Sequence, residues 1–400
     1  MSTMADTQDI DPVIEISGDE LYGRDGKRYR ADPDLVAAAN AALYLEMPLL
    51  LTGEPGCGKT HFAWALAWGL HKQRQPSAAY DLETAPQPLL CHVRSDSRAR
   101  DLLYQYDAVR RFGDAQHGGN LGKDRAADAR QYIELGGLGR ALMDTTRQVV
   151  LIDEIDKAPR DLPNDLLHEL DVGDFEIPEI PASLPEDVAR ALPDVVLSHG
   201  VALRRKMERP TLLNVKPKQY HKKPLVVITS NVERQLPDAF LRRCVFFHIE
   251  FPSRERLLHI LFDHLRDNVH RLNRPGGELQ TESRRFLEKQ QQNPEGKRPA
   301  GTGVSEFTQA FLDAVVTVFL RLRGQSLTKK PATAELIAWS KALLGGSSAE
   351  RHAQAVIGAA RALLEGKQDA SQVLGAVPQA GCLIKLREDW EKLRPKQATS

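Results

Sequence analysis

The sequence predicts a parallel α/β sheet followed by a helical region, and three observations lead there. A glycine-rich turn, Gly53-Glu54-Pro55-Gly56-Cys57-Gly58-Lys59-Thr60, follows a strand-like run, Leu49–Thr52, and precedes a helical apolar pattern through Phe62, Trp64, Leu66 and Trp68. Short apolar runs recur at 49–52, 89–93, 149–152, 225–229 and 245–249, separated by helical or irregular stretches, which is the pattern of parallel strands joined by crossovers. After Pro252 no further strand pattern occurs, and the apolar residues fall at helical spacing.

The turn is the phosphate-loop pattern GxxxxGK[ST] in the strand-to-helix setting that gives it meaning. Its glycines let several backbone N–H groups converge on one anion, and the helix N-terminus adds a favourable dipole. Lys59 can reach β- and γ-phosphates, and the Thr60 hydroxyl can ligand Mg²⁺. The neighbouring Glu54, Pro55, Cys57 and His61 belong to the same binding segment. A second acidic feature answers it. The run Gln148–Asp156, QVVLIDEID, carries Asp153 and Glu154 at the end of a buried strand. Open parallel sheets bind ligands at that edge. A buried strand tolerates two such charges where something pairs them, and a metal ion with a polarised water would do so.

Composition sets the frame. Four hundred residues suggest two or three domains. Apolar content of 42% and charged content of 27% are those of a globular protein. Lys+Arg and Asp+Glu are 54 each, so bulk charge predicts neither nucleic-acid nor membrane affinity. No run approaches the ~20 apolar residues of a membrane helix. Cys57, Cys91, Cys244 and Cys382 are scattered without metal spacing, and a disulfide at Cys57 would obstruct the loop. The expectation is reduced thiols in a cytoplasmic protein, with the polar, acidic start MSTMADTQDIDP no signal peptide.

Along the chain, residues 1–20 read as a flexible acidic arm. Residues 21–252 read as the α/β core, and 253–400 as a helical lid and C-terminal helices. Asp34–Leu45 has helical spacing, with Asp32 or Asp34 available as N-cap; it packs either beside a nucleotide base or as a plain core helix. Residues 94–132 interrupt the core with one helical piece, Leu102–Phe112, and Tyr132–Met143 reads as helix. Residues 175–214 form a second interruption with a weak helix near Val195–Met207. From Arg204 to Lys223 stand eight basic residues and one acidic one, either a solvated loop or a contact for an acidic partner. Beyond Pro252, helices are expected over Arg254–Val269, Val304–Leu322, Thr333–Leu344, Ala349–Leu364 and Cys382–Leu393, with the polar stretch Asn273–Ala300 looping outward.

In order and spacing, the pieces LLLTGEPGCGKT, VVLIDEIDKAPRDLPNDLL, ITSN and LPDAFLRRC resemble the AAA+ ATPases, and within them the MoxR branch. The resemblance covers about residues 40–252. It implies a five-stranded parallel P-loop NTPase sheet (AAA+ core) with a C-terminal helical lid, ATP as the nucleotide and a homo-oligomeric ring, usually of six. It also implies remodelling of a client protein, often one with a von Willebrand factor A domain. By the same resemblance Asp153 holds Mg²⁺ with Thr60, and Glu154 orients and deprotonates the attacking water. Asn231 positions that water, and Arg243, with Arg242 as the alternative, reaches the next subunit's γ-phosphate. The family's lid arginine falls near Pro331–Leu336, where this chain has KKPATAEL; Glu335 occupies the expected slot, and Lys330 is the nearest cation to take the role.

Two other functions fit the same core. A nucleic-acid-associated NTPase motor of a restriction or defence system would use Arg204–Lys223 as its footprint, but the charge balance and the single aromatic there, Tyr220, oppose it. A silent nucleotide-gated scaffold is opposed by the presence of Lys59, Thr60, Asp153, Glu154 and Arg243 together.

Overall fold

The computed structural model describes residues 15–18, 20–144, 146–173, 175–179, 195–197, 201–203, 214–215, 223–266, 268, 287, 305–367, 372–373 and 377–393. Two compact units divide the chain: Met1–Gly26, Ala31–Thr52 and Lys59–His248 make the first, and Lys27–Arg30, Gly53–Gly58 and Ile249–Ser400 the second. Most of the acidic arm, most of Arg204–Lys223 and most of Asn273–Ala300 lie outside the described residues; of the arm, Ile16 is buried and exchanges hydrogen bonds with the Asn40 side chain at 2.8 and 3.0 Å.

The first unit is built on a five-stranded sheet. Its strands are β1 (Leu49–Gly53), β2 (Leu89–His92), β5 (Val149–Asp153), β10 (Leu225–Ser230) and β11 (Val245–Ile249), in the order β11-β1-β10-β5-β2. The sheet is parallel, as the continuous apolar runs require. Strands β1 and β10 are buried at every residue. The register sets Ile228 of β10 against Ile152 of β5, so Thr229, one residue before the end of β10, lies beside Asp153 at the end of β5. Helix α1 (Pro33–Leu45) starts where the side chain of Asp32 accepts the Asp34 N–H, with proline in its first turn. Helix α2 (Lys59–Arg74) leaves the glycine turn and buries Phe62, Leu66 and Trp68. Beneath the sheet Leu50, Val150, Ile152, Val226 and Ile228 pack with Tyr104, Leu138, Leu166 and Phe240, each worth about 1.5–3 kcal/mol in apolar burial.

Both interruptions depart from expectation. The expected helix Leu102–Phe112 divides into α3 (Ala99–Leu103), the strand β3 (Tyr104–Tyr106) and α4 (Ala108–His117), followed by α5 (Gly119–Ala127). The expected helix Tyr132–Met143 begins as strand β4 (Ile133–Leu135), and only α6 (Gly137–Met143) is helical. Strands β3 and β4 pair antiparallel, Tyr106 against Ile133, and Gly136-Gly137 breaks the helical continuity. In place of the weak helix expected near Val195–Met207, the described residues form an antiparallel pair, β7 (Val195–Leu197) with β8 (Val201–Leu203), as the β-branched VVL and VA residues favour; residues 198–200 and 204–207 lie outside the described residues. Short β6 (Phe175–Glu176) pairs with β9 (Asn214–Val215).

Around β5 and β10 lie α7 (Leu162–Asp165), α8 (Leu167–Val172) and α9 (Asp238–Leu241). The second unit is helical: α10 (Arg254–Leu265), α11 (Glu306–Arg323), α12 (Thr333–Leu343), α13 (Ala349–Leu364) and α14 (Arg387–Leu393). The Ser305 hydroxyl caps α11 by accepting the Thr308 N–H at 3.2 Å. That helix buries Phe307, Phe311, Val315, Phe319 and Leu322 in the unit's core, beside Leu261, Leu336, Trp339 and Val356. The expected Cys382–Leu393 helix is shorter, with a single 3₁₀ turn at Ala380–Cys382 and α14 beginning at Arg387.

Candidate active site

Strand β1 delivers the chain into the glycine turn, and α2 takes it away at Lys59. Two glycines there answer to geometry. Gly56 has φ +76°, and a Cβ on it would sit 2.9 Å from the Ala332 Cβ. Gly53 has φ +146°, and a Cβ on it would meet the Ile249 carbonyl oxygen at 2.6 Å. Any L side chain at either position is strained twice over, by the backbone and by the neighbour. The turn itself is closed by Cys57 donating its N–H to the Glu54 carbonyl at 3.3 Å. Gly58 lies against the Tyr29 ring, and Pro55 is exposed.

Within the first unit the strand tips carry a continuous polar network. The Thr60 hydroxyl donates to Asp153 Oδ1 at 3.0 Å, so the first turn of α2 and the end of β5 meet. Lys59, one residue earlier, is only 7% exposed. Thr229, at the tip of β10, donates its hydroxyl to the same Asp153 oxygen at 2.6 Å and accepts the Glu154 N–H at 2.9 Å. Glu154 stands in the left-handed region, φ 56°, ψ 52°. Its carboxylate accepts from Asn231 Nδ2 at 3.2 Å and from Lys157 Nζ at 2.5 Å. That hydrogen bond pushes the Lys157 ammonium up from its ordinary value, against the opposing effect of burial.

Other expected residues lie around this network or apart from it. Arg243 is half-exposed; its Nε pairs with Asp171, and its Nη1 donates to the Ala239 carbonyl at 3.0 Å. Arg242 is exposed. His61 Nδ1 stands 3.9 Å from Asp25. Asn231 also donates its backbone N–H to Asp156. In the second unit Lys330 is exposed, and Glu335 accepts the Ala332 N–H at 3.2 Å, capping α12. The cation that meets the glycine turn there is Arg323, which sequence reasoning missed. Its Nη2 donates to the Glu54 carboxylate, its Nη1 to the Pro331 carbonyl at 2.7 Å, and its guanidinium lies 3.6 Å from the Phe251 ring centre. Thr229 and Asp156 were likewise missed.

The donor set fits a magnesium-bound nucleoside triphosphate. One carboxylate and one hydroxyl converge at Thr60–Asp153, and Mg²⁺ characteristically takes one or two protein ligands with phosphates and waters supplying the rest. Among the described residues no group of three or more His, Cys, Asp or Glu forms an all-protein metal site. No described helix is long and apolar enough to cross a membrane.

Fold and site together define an α/β protein with a glycine turn between β1 and α2 and a helical C-terminal region, the fold class the sequence predicts. No family model matches the chain, and no curated protein does. Solved structures do, among them PCH-2 of C. elegans, at 15% identity and a TM-score of 0.38. That match covers 83% of this chain and 66% of the PCH-2 chain.

Proposed function

We propose that this chain is a Mg²⁺-dependent ATPase of the AAA+ type, in its MoxR-like branch, working as a ring of identical subunits that remodels a client protein. The observation that carries the reading is the Thr60 hydroxyl on Asp153, with Glu154 next in the chain and held by Asn231. Bound Mg²⁺ would neutralise charge on the phosphoryl oxygens and act as a Lewis acid.

The protein's own groups do the rest. The backbone of Gly53–Gly58 and the Lys59 ammonium hold the phosphates. Thr60 and Asp153 present the oxygens for the metal. Glu154 takes a proton from water, and Asn231 fixes the carboxylate that does so; geometry is the first requirement of such a base. Lys157 shares the Glu154 carboxylate and gives up that contact to the attacking water. Arg243 reaches a neighbouring subunit's nucleotide after leaving Asp171, so turnover per subunit rises with protein concentration. A client with a von Willebrand factor A domain suits this branch.

Glu154→Gln tests the reading. Binding of a fluorescent ATP analogue is retained, while phosphate release falls by about 10²-fold or more, the range for losing a positioned base. Hydrolysis at the parent rate in Glu154→Gln would overturn the assignment. The trapped form is then the bait for the client.

A further inference from the structure

The turn after β10 holds Val232 at φ 62°, a left-handed backbone that β-branched residues rarely adopt. The Val232 side chain is 59% exposed, so packing does not impose the conformation. Asp156 flanks it from the other strand tip. This carboxylate is 3% exposed, and its Oδ2 accepts two N–H groups, from Asn231 at 3.1 Å and from Glu233 at 3.0 Å, the residues on either side of Val232. Its other oxygen has no hydrogen-bond partner among the described residues. A buried carboxylate that spends both contacts on one oxygen is a clamp on that turn, since a buried polar group and its donors are held where their hydrogen bonds lie. Asn231 then turns its side-chain amide onto Glu154 Oε1.

We propose that Asp156 is a positioning residue for hydrolysis: it holds the Asn231–Glu233 turn in its strained form, and through Asn231 it fixes the carboxylate of Glu154. This rests on the hydrolase reading above. The residue is placed to act through the turn, and the hydrogen-bonded route from it to the Glu154 carboxylate runs through Asn231.

The test is a mutant cycle read beside amide exchange. Displacing a catalytic group by about 1 Å costs up to ~10²-fold. In Asp156→Ala, kcat therefore falls about 10- to 100-fold while the KM for ATP moves less than about threefold. Asn231→Ala falls comparably, and Asp156→Ala/Asn231→Ala is no slower than the slower single variant. Val232→Gly placed in Asp156→Ala restores about tenfold, because glycine needs no clamp to sit at positive φ. A double variant whose loss is the product of the two single losses, or an Asp156→Ala enzyme at the parent kcat, would overturn the proposal. Hydrogen exchange of the Asn231 and Glu233 amides decides the clamp without any turnover. Both amides are slow in the parent and at least about tenfold faster in Asp156→Ala, the loss of a charge-assisted bond. If the alanine variant does not fold, Asp156→Asn carries the exchange comparison, with about threefold or greater acceleration expected and unchanged exchange overturning it. A chain that hydrolyses no ATP yet loses amide protection sinks the ATPase reading and leaves the clamp standing.

Discussion

Replacing Thr229 with valine removes one hydroxyl and almost no volume, which makes it a sharp probe of the strand-tip network. Thr229 is 1% exposed, so water does not take the hydroxyl's place. Two bonds disappear together. One is the 2.6 Å donation to the Asp153 carboxylate, and bonds to charged groups are worth about 1.5–3 kcal/mol. The other leaves the Glu154 N–H without the acceptor it holds at 2.9 Å, and a stranded donor costs about 1–3 kcal/mol. Asp153 keeps its bond from Thr60, which limits the damage, so about 3 kcal/mol is the expected net loss. For a unit of this size each kcal/mol moves Tm by about 2–4 °C, giving a fall of about 6–12 °C. Turnover falls further than stability alone requires, because Asp153 and Glu154 both lose a fixed neighbour; about 10²-fold in kcat is the scale of a 1 Å displacement. Scanning calorimetry and phosphate release over a Mg²⁺ titration read the two effects. Thr229→Ser, which keeps the hydroxyl, retains both bonds and most of the activity. A valine variant within about 2 °C of the parent and at the parent kcat would refute the network's role.

Other expectations follow from single contacts. Arg323→Met leaves Glu54 without its guanidinium and the Phe251 ring without its cation; nucleotide affinity changes by about tenfold, read by titration of a fluorescent analogue, whereas Lys330→Ala leaves turnover within about twofold. Burial pushes the Cys91 and Cys244 thiols up to about 12, so at pH 8 only about one in ten thousand is thiolate, and mass spectrometry after iodoacetamide finds both unmodified in the native protein. The Asp389 carboxyl is desolvated, which raises its pKa, but the N–H groups of Lys329 and Thr328 outweigh that and hold it below the ordinary range. A lowered folded pKa gives stability that is present above the unfolded value near 3.9 and lost as pH falls through the folded one. Asp389→Asn therefore flattens the acid limb of the stability curve below about pH 4, measured by Tm against pH.

What could be read from the residues was what is local in the chain. The phosphate turn announces itself in eight consecutive positions, and the buried strands in uninterrupted apolar runs, so the sheet and the pairing of Thr60 with Asp153 followed from short-range patterns. The two interruptions misled for the same reason. Tyr104–Tyr106 and Ile133–Leu135 are three residues each, too short to show a period, and they become strands because they pair with one another across 27 or more positions. The stretch around Val195 carried helical hints, while its β-branched residues favoured the pairing seen between Val195–Leu197 and Val201–Leu203.

Arg323 shows where legibility ends. The resemblance directed attention to the start of α12, and Lys330 was the nearest cation there, but the side chain that meets Glu54 comes from the last turn of α11, 269 positions away in the chain. Nothing local marks it, because a terminal arginine on an amphipathic helix is an ordinary solvated residue until a ring such as Phe251 lies beneath it. The same holds for Thr229 and Asp156, which are unremarkable in sequence and acquire their roles from register. With Ile228 set against Ile152, Thr229 must end beside Asp153, and the chain beyond must turn within reach of Asp156. Two non-glycine residues with positive φ, Glu154 and Val232, then stand at adjacent strand tips, bound to each other's neighbours by Thr229, Asn231 and Asp156. Backbone strain of that kind persists only where surrounding bonds over-determine it. The bonds that hold both residues there also hold the Glu154 carboxylate, so on the hydrolase reading the two strained positions and the base are fixed together.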